Sequence, residues 1–226
     1  MKNKIALIDT GAANIHSVDK ALKYVGASVE ITDNSDFIQK ADLIVFPGVG
    51  AFSAVMESIN SKNLKEVIKE IIESGKPFLG ICVGLQVLFE ESEEHGRIKG
   101  LGILKGKVIK FRKAKKIPHI GWNNVTWNVI ARSHKVATKQ SQSKNDRDCF
   151  ASLYSARNDA ACQYYFVHSY YVVPEDKSII YGKTEYDGEQ FVSAVKKDNL
   201  IAVQFHPEKS GEVGLDFLKQ FVETKV

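Results

Sequence analysis

KPFLGICVGLQVLFEESEEHG, residues 76 to 96, runs an apolar stretch through a glycine, a cysteine and a second glycine into a pattern of helical length. A strand that turns directly into a helix is the repeating unit of an α/β fold, and the chain on the N-terminal side repeats it. KIALID (4 to 9), SVEIT (28 to 32), DLIVF (42 to 46) and PFLGI (77 to 81) are apolar runs of strand length. Between them, Ile15 to Tyr24 carries apolar residues at 15, 18, 21 and 22, and Leu64 to Ile72 at 64, 67, 68, 71 and 72, both at helical spacing. Gly26 and Gly75 are placed to stop those helices. Alternating strands and helices predict a doubly wound, mostly parallel sheet flanked by helices. After about residue 100 the texture becomes strand-rich, with KGKVIKF, YYFVHSYYV, SIIYGKTEY, EQFVSAVKK and NLIAVQF, and GEVGLDFLKQFVE closes the chain as a helix.

The spacing GICVG (80 to 84) is that of a nucleophile elbow, in which the nucleophile sits on a sharp strand-to-helix turn. Gly80 and Gly84 lack the Cβ atoms that such a turn excludes. A following helix, VGLQVLFEESEE, would aim its first amides at the thiol and favour thiolate. The amide of Val83 is placed to meet an oxyanion. Taken alone the motif leaves two readings open, a catalytic Cys82 or a small buried cysteine packed between glycines.

A thiolate nucleophile needs a base. Of the six histidines, His206 in LIAVQFHPEKS (200 to 210) ends an apolar strand and precedes Pro207, which restricts its backbone to extended geometry. If the backbone continues extended, Glu208 projects to the same side as His206 and can orient the imidazole, giving a Cys-His-acid triad. The pair lacks a third ligand at metal spacing, so a metal site is the weaker reading. His16, His95 and His134 read as solvated, His95 at a helix end beside Gly96, while His119 and His168 stay open. FPGVGAF (46 to 52) follows a strand with a proline and two glycines and can expose amides without obstruction; each such donor to an oxyanion is worth about 3 to 4 kcal/mol. IDTGAAN, FPGVG, GICVG and QFHPE are all strand-to-loop junctions, and in a parallel sheet such junctions share one rim.

The bulk numbers fit a single domain over residues 1 to 226: 44% of the chain is hydrophobic and 26% charged, enough for one full core. A polar stretch at about 128 to 163, rich in Lys, Ser, Asn and Asp, reads as an insertion or long surface loop. No apolar run approaches the roughly 20 residues that span a bilayer, and the N-terminal run meets an acid early, so a cytoplasmic location is expected. Three cysteines without a C-x-x-C pair argue against a disulfide framework or zinc knuckle. A net charge of +4 is too mild to indicate nucleic acid. The run Lys105, Lys107, Lys110, Arg112, Lys113, Lys115 and Lys116 reads as a solvated hairpin edge, with docking of an acidic partner as a minor alternative.

Taken together, IDTGAANIHSV (8 to 18), FPGVGAF, GICVGLQVLFEESEEHG, KGLGILKGKVIKF (99 to 111), PHIGWN (118 to 123), YYFVHSYYV (164 to 172) and VQFHPEKSG (203 to 211) resemble the class I glutamine amidotransferases over nearly the whole chain. Within that class the chain is similar to the glutaminase subunits of imidazole glycerol phosphate synthases. The resemblance implies a flavodoxin-like fold and a triad of Cys82 as nucleophile, His206 as base and Glu208 as its orienter. It implies an oxyanion hole at Val49, Gly50 and Val83, and glutamine held by Gln86 and the backbone of His168, Ser169 and Tyr170. It implies no cofactor and no metal. Ammonia released from glutamine would pass to a separate (β/α)8-barrel cyclase in a heterodimer serving histidine biosynthesis, across a junction that includes Asn14, Trp122, Asn123, Tyr165 and Lys209. Two features depart from the family pattern: the 128 to 163 stretch is long, and Thr10 replaces the aromatic expected after Asp9. They leave a paralogous role, ammonia supply for amidination of a surface or nucleotide sugar, as the alternative. A stand-alone cysteine hydrolase is more distant, because it gives YFVHSYYV and GWN no purpose.

Overall fold

The computed structural model describes residues 3–11, 14–128 and 162–224. Its first half is β1 (Lys4–Ile8), α1 (Ile15–Tyr24), β2 (Ser28–Thr32), α2 (Ser35–Lys40), β3 (Leu43–Gly48), α3 (Phe52–Ser61), α4 (Leu64–Glu73), β4 (Phe78–Cys82) and the single-turn α5 (Val83–Gln86). Strands that are apolar without alternation are covered on both faces, and Ile5 to Ile8 and Leu43 to Phe46 are indeed fully buried. Helix α1 turns Ile15, Val18, Ala21 and Leu22 into the core. It stops at Gly26, whose φ of +95° would strain a residue with a Cβ. Helix α2 starts where the Asn34 side chain accepts from the Phe37 amide at 3.0 Å.

The second half is β5 (Phe89–Ser92), β6 (Ile98–Lys99), β7 (Leu104–Lys110), β8 (His119–Asn124), β9 (Thr126–Trp127), β10 (Gln163–His168), β11 (Tyr170–Pro174), β12 (Ile180–Tyr186), β13 (Glu189–Lys197), β14 (Leu200–Val203) and α6 (Gly211–Val222), with a 3-10 turn at Pro207–Lys209. Strands order as β2-β1-β3-β4-β14-β13-β11-β7-β5-β6 in one mixed sheet. From β2 to β14 every pairing is parallel. From β14 outward the pairings are antiparallel as far as β7, which returns to parallel against β5. The doubly wound parallel unit is thus the N-terminal half plus β14, and the strand-rich half extends it through mainly antiparallel pairings. Helices α1 and α6 pack together on one side, and α2, α3 and α4 on the other. That arrangement follows from right-handed crossovers running in opposite directions, from β1 to β2 through α1 and then from β2 back past β1 to β3 through α2. Strands β8 and β10 form a separate antiparallel ribbon.

Three local expectations change. The helix read over VGLQVLFEESEE ends at Gln86, because the carbonyls of Val87, Leu88 and Phe89 accept from the amides of Leu101, Ile103, Leu104 and Gly102 and the chain continues as β5. His95 accordingly lies in the turn between β5 and β6 at φ +53°, beside Gly96, and not at a helix end. YYFVHSYYV divides at Ser169 into β10 in the ribbon and β11 in the main sheet, while the Ser169 carbonyl accepts from the Phe111 amide. Of the polar stretch from 128 to 163, residues 129–161, with His134 and Cys149, lie outside the described residues. Its inner flank is fixed, since Asn128 donates from its backbone to the Tyr181 carbonyl and from its side chain to that of Ile180.

Candidate active site

Cys82 ends β4 at φ +56°, ψ −110°, a conformation that L-residues avoid and that costs about 1–3 kcal/mol unless the surroundings impose it. Here the surroundings are backbone. A Cβ on Gly84 would lie 2.1 Å from the Phe46 carbonyl oxygen, and one on Gly48 would lie 2.7 Å from the Gly84 nitrogen. Glycine at both positions lets β3 and the turn after β4 touch main chain to main chain. Gly48 stands opposite Cys82 in the parallel register, so the loop through Val49 and Gly50 leaves β3 directly beside the elbow. Gly50 has φ +91°. The far end of this loop is tied down where the Phe52 amide donates to Glu94 Oε2 at 2.6 Å. With only four residues, α5 brings little macrodipole to the thiol, and the nearest amides carry that role.

His206 follows β14 on the neighbouring strand and is 1% exposed. The expected extended path to Glu208 is replaced by the 3-10 turn at Pro207–Lys209, which His206 caps. The turn nevertheless brings His206 Nδ1 to 2.8 Å from Glu208 Oε1, and the carboxylate side chain is 2% exposed. Ser210 locks the geometry: its hydroxyl donates to the His206 carbonyl at 2.6 Å and accepts from the Tyr165 amide at 2.9 Å. Burial opposes an imidazolium at His206, but the facing Cys82 thiolate and then the Glu208 carboxylate outweigh it and raise its pKa to about 10. Both the charge and a hydrogen bond of the Cys82 side chain contribute to that rise. His206 is thereby held as an imidazolium, with Glu208 fixing the ring by its other nitrogen.

A chain of buried polar side chains lies behind the elbow. Tyr170 carbonyl accepts from Gln86 Nε2 at 3.0 Å and from His168 Nδ1 at 2.8 Å. His168 Nε2 meets His119 Nδ1 at 3.1 Å, and Asn123 Nδ2 lies 3.4 Å from His119 Nε2. A carbonyl only accepts, so His168 carries its proton on Nδ1, its Nε2 accepts, and His119 also carries its proton on Nδ1. This polarity requires both rings neutral. Burial lowers the pKa of His119 to about 4 and of His168 to about 3, and Tyr186 stacks on His119 at a centroid distance of 3.9 Å.

Of the residues singled out in the sequence, Cys82, His206 and Glu208 converge, with Val83, Val49 and Gly50 around the elbow. Gln86, His168 and Tyr170 join through the Tyr170 carbonyl, and Ser169 is the break between their strands. Trp122 is 53% exposed and edge-on to Tyr165, whose ring lies 6.0 Å from Lys209 Nζ. Asn14 lines a small cavity with His206 and Glu208. Asn123 turns its amide inward, donating to the Glu185 carbonyl at 2.8 Å. The sequence reading passed over Gln204, fully buried, whose Nε2 lies 3.6 Å from Cys82 Sγ and whose Oε1 accepts from Gln86 Nε2 at 3.0 Å. Its signal was available: a glutamine in the apolar run LIAVQF, one residue beyond a fully buried strand. Among the described residues no group of three or more His, Cys, Asp or Glu is arranged to hold a metal.

A strained cysteine beyond a parallel strand, facing a His-Glu pair at the same rim, defines a class, and the chain belongs to the class I glutamine amidotransferase family, whose model matches residues 6–224. Among curated relatives, the imidazole glycerol phosphate synthase subunit HisH of Methanocaldococcus jannaschii is 46% identical over 97% of this chain and 98% of its own length. That of Aquifex aeolicus is 46% identical over 96% and 95%. The chain is thus a member of the HisH family. Solved structures share the fold at lower identity: a glutamine amidotransferase crystal structure at 12% identity and TM-score 0.68, covering 97% of this chain and 99% of the other, and PurLQS from Thermotoga maritima at 18% and 0.67, covering 98% of each.

Proposed function

We propose that the chain is the glutaminase subunit of an imidazole glycerol phosphate synthase, acting in histidine biosynthesis and hydrolysing L-glutamine through Cys82, His206 and Glu208. The observation that carries this reading is the elbow itself, Cys82 at φ +56° facing a His206 whose imidazolium is stabilised by thiolate and carboxylate. The Cys82 thiolate attacks the side-chain amide carbon of glutamine, and the oxyanion that forms is met by amides of Val83 and of the Val49–Gly50 loop. The imidazolium of His206 gives its proton to the departing nitrogen, and ammonia leaves a γ-glutamyl thioester. Neutral His206 then takes a proton from water, which attacks the thioester; glutamate is released and the thiolate returns. Gln86 and the backbone at His168, Ser169 and Tyr170 hold the substrate. No cofactor enters these steps.

Ammonia in neutral water is largely protonated and unreactive, so a docked acceptor subunit is the arrangement that chemistry favours. The HisH names of the relatives support a partner subunit of the same synthase. We place it as a (β/α)8-barrel cyclase in a heterodimer, against the exposed face bearing Trp122, Tyr165 and Lys209, with Asn14 and Asn123 at its margin. The same names favour histidine synthesis over sugar amidination. Cys82→Ala is expected to abolish glutamate release in the complex with the partner subunit, a loss of at least about a thousandfold for removal of a nucleophile. Wild-type activity retained by that variant would overturn the assignment.

A further inference from the structure

Resting on the glutaminase reading, we propose that Gln204 serves this site twice, as a hydrogen-bond donor to the Cys82 thiolate and as the positioning residue that fixes the amide of Gln86. The orientation of both amides follows from one fixed point. The Tyr170 carbonyl can only accept, so Gln86 presents Nε2 to it at 3.0 Å, and the second hydrogen of that nitrogen points to Gln204 Oε1 at 3.0 Å. Gln204 therefore shows Nε2 to Cys82, at 3.6 Å from Sγ. Its own backbone is held by donation from its amide to the Ser193 carbonyl at 2.8 Å, and the side chain is fully buried.

Two consequences follow. A neutral N–H aimed at sulfur stabilises thiolate over thiol in a site that burial otherwise makes hostile to charge. Both hydrogens of Gln86 are committed within the protein, so toward substrate this side chain offers its oxygen, an acceptor suited to the ammonium or amide donors of glutamine. If the Gln204 carbonyl is removed, Gln86 keeps one anchor and its amide can turn over, presenting a donor where an acceptor is needed.

Gln204→Met conserves length and approximate volume while removing both polar atoms. The titratable groups around Cys82 are His206, Glu208 and, behind them, His168, and the substitution leaves all three. In the isolated chain, the pH midpoint for alkylation of Cys82 by iodoacetamide is expected to move up by about one unit, matching one lost hydrogen bond to a charged group. In the complex with the partner subunit, KM for glutamine is expected to rise about tenfold. The KM effect acts through Gln86, so it should vanish in a Gln86→Met background, whereas the alkylation shift should persist there. Gln204→Asn, which withdraws the same amide by one methylene, should produce both shifts and guards against a folding defect peculiar to Met. A lowered thermal midpoint with unchanged alkylation profile and unchanged KM would reduce Gln204 to a packing residue and overturn the proposal. The alkylation arm does not use glutamine, so it fails or holds separately from the glutaminase assignment, which Cys82→Ala tests.

Discussion

At the residue scale the site depends on atoms that are missing. Gly84 has an ordinary φ and needs no conformational freedom; it is glycine because a Cβ would lie 2.1 Å from the Phe46 oxygen. That oxygen belongs to a central strand of the parallel sheet and cannot yield as a flexible side chain would. Gly84→Ala must therefore push the turn away from β3, which separates Val83 from the Val49–Gly50 loop and relaxes the backbone of Cys82. The expected result is a loss of about 1–3 kcal/mol in stability, the range for overpacking a core, together with a kcat decrease larger than any change in KM. Denaturant titration and steady-state glutaminase assays check the two parts. Gly96→Ala provides the contrast, because nothing lies within 4 Å of its added Cβ and its φ of +109° makes the cost purely conformational, without effect on kcat.

At the element scale, β5 shows what local pattern cannot carry. Strand β5 replaces a helix because the carbonyls of Val87, Leu88 and Phe89 find partners in residues 101 to 104. Gly100 makes that return possible: a Cβ there would lie 2.2 Å from the Phe89 oxygen and 2.9 Å from that of Val87. Gly100→Ala should cost about 2 kcal/mol or more and free the amides of Leu101 and Gly102 to exchange with solvent, which hydrogen-exchange measurements on those residues detect. The elements legible in the sequence were those with a local apolar pattern: β1, β3, β4, α1, α4 and α6, buried in the parallel core, the half-buried edge strand β2, and β7, β12, β13 and β14 of the strand-rich half. That Cys82, His206 and Glu208 would meet was legible too, because glycine spacing and the position of His206 before Pro207 are local features. The 3-10 turn linking His206 to Glu208 was not, since Ser210 and Tyr165 impose it from outside. Nor was the role of Gln204, visible only as a polar residue in an apolar run, since that role depends on Gln86, 118 positions away in sequence. The neutral His119–His168 pair escaped for the same reason, its rings meeting across a ribbon that joins residues far apart in the chain.

At the scale of the whole molecule, buried histidines of opposite character give the fold a stability curve with two limbs. His119 and His168 have folded pKa values of about 4 and about 3, below the 6.5 of an unfolded histidine. Their neutral chain is fully stabilising above pH 6.5, and as pH falls from 6.5 toward 4 and 3 the unfolded state binds protons that the folded state refuses, so stability declines. His206 works in the other direction. Its folded pKa is raised to about 10, so its contribution is complete below pH 6.5 and is lost as pH climbs through 10. Glu189 adds to the acid limb: despite burial, the amides of Lys113, Arg112 and Ala114 and the Tyr171 hydroxyl hold its pKa below the usual value. Stability measured by denaturant titration should therefore peak near neutrality and fall on both sides. Cys82→Ala should flatten the alkaline limb, because it removes the thiolate that most favours the His206 imidazolium, while leaving the acid limb unchanged. Nitrogen NMR at pH 5.5 should find His119 and His168 still neutral with the proton on Nδ1, whereas an exposed histidine is largely charged there. An alkaline limb unaffected by Cys82→Ala would show that the thiolate does not hold the imidazolium in place, and would remove the ion pair from the resting site.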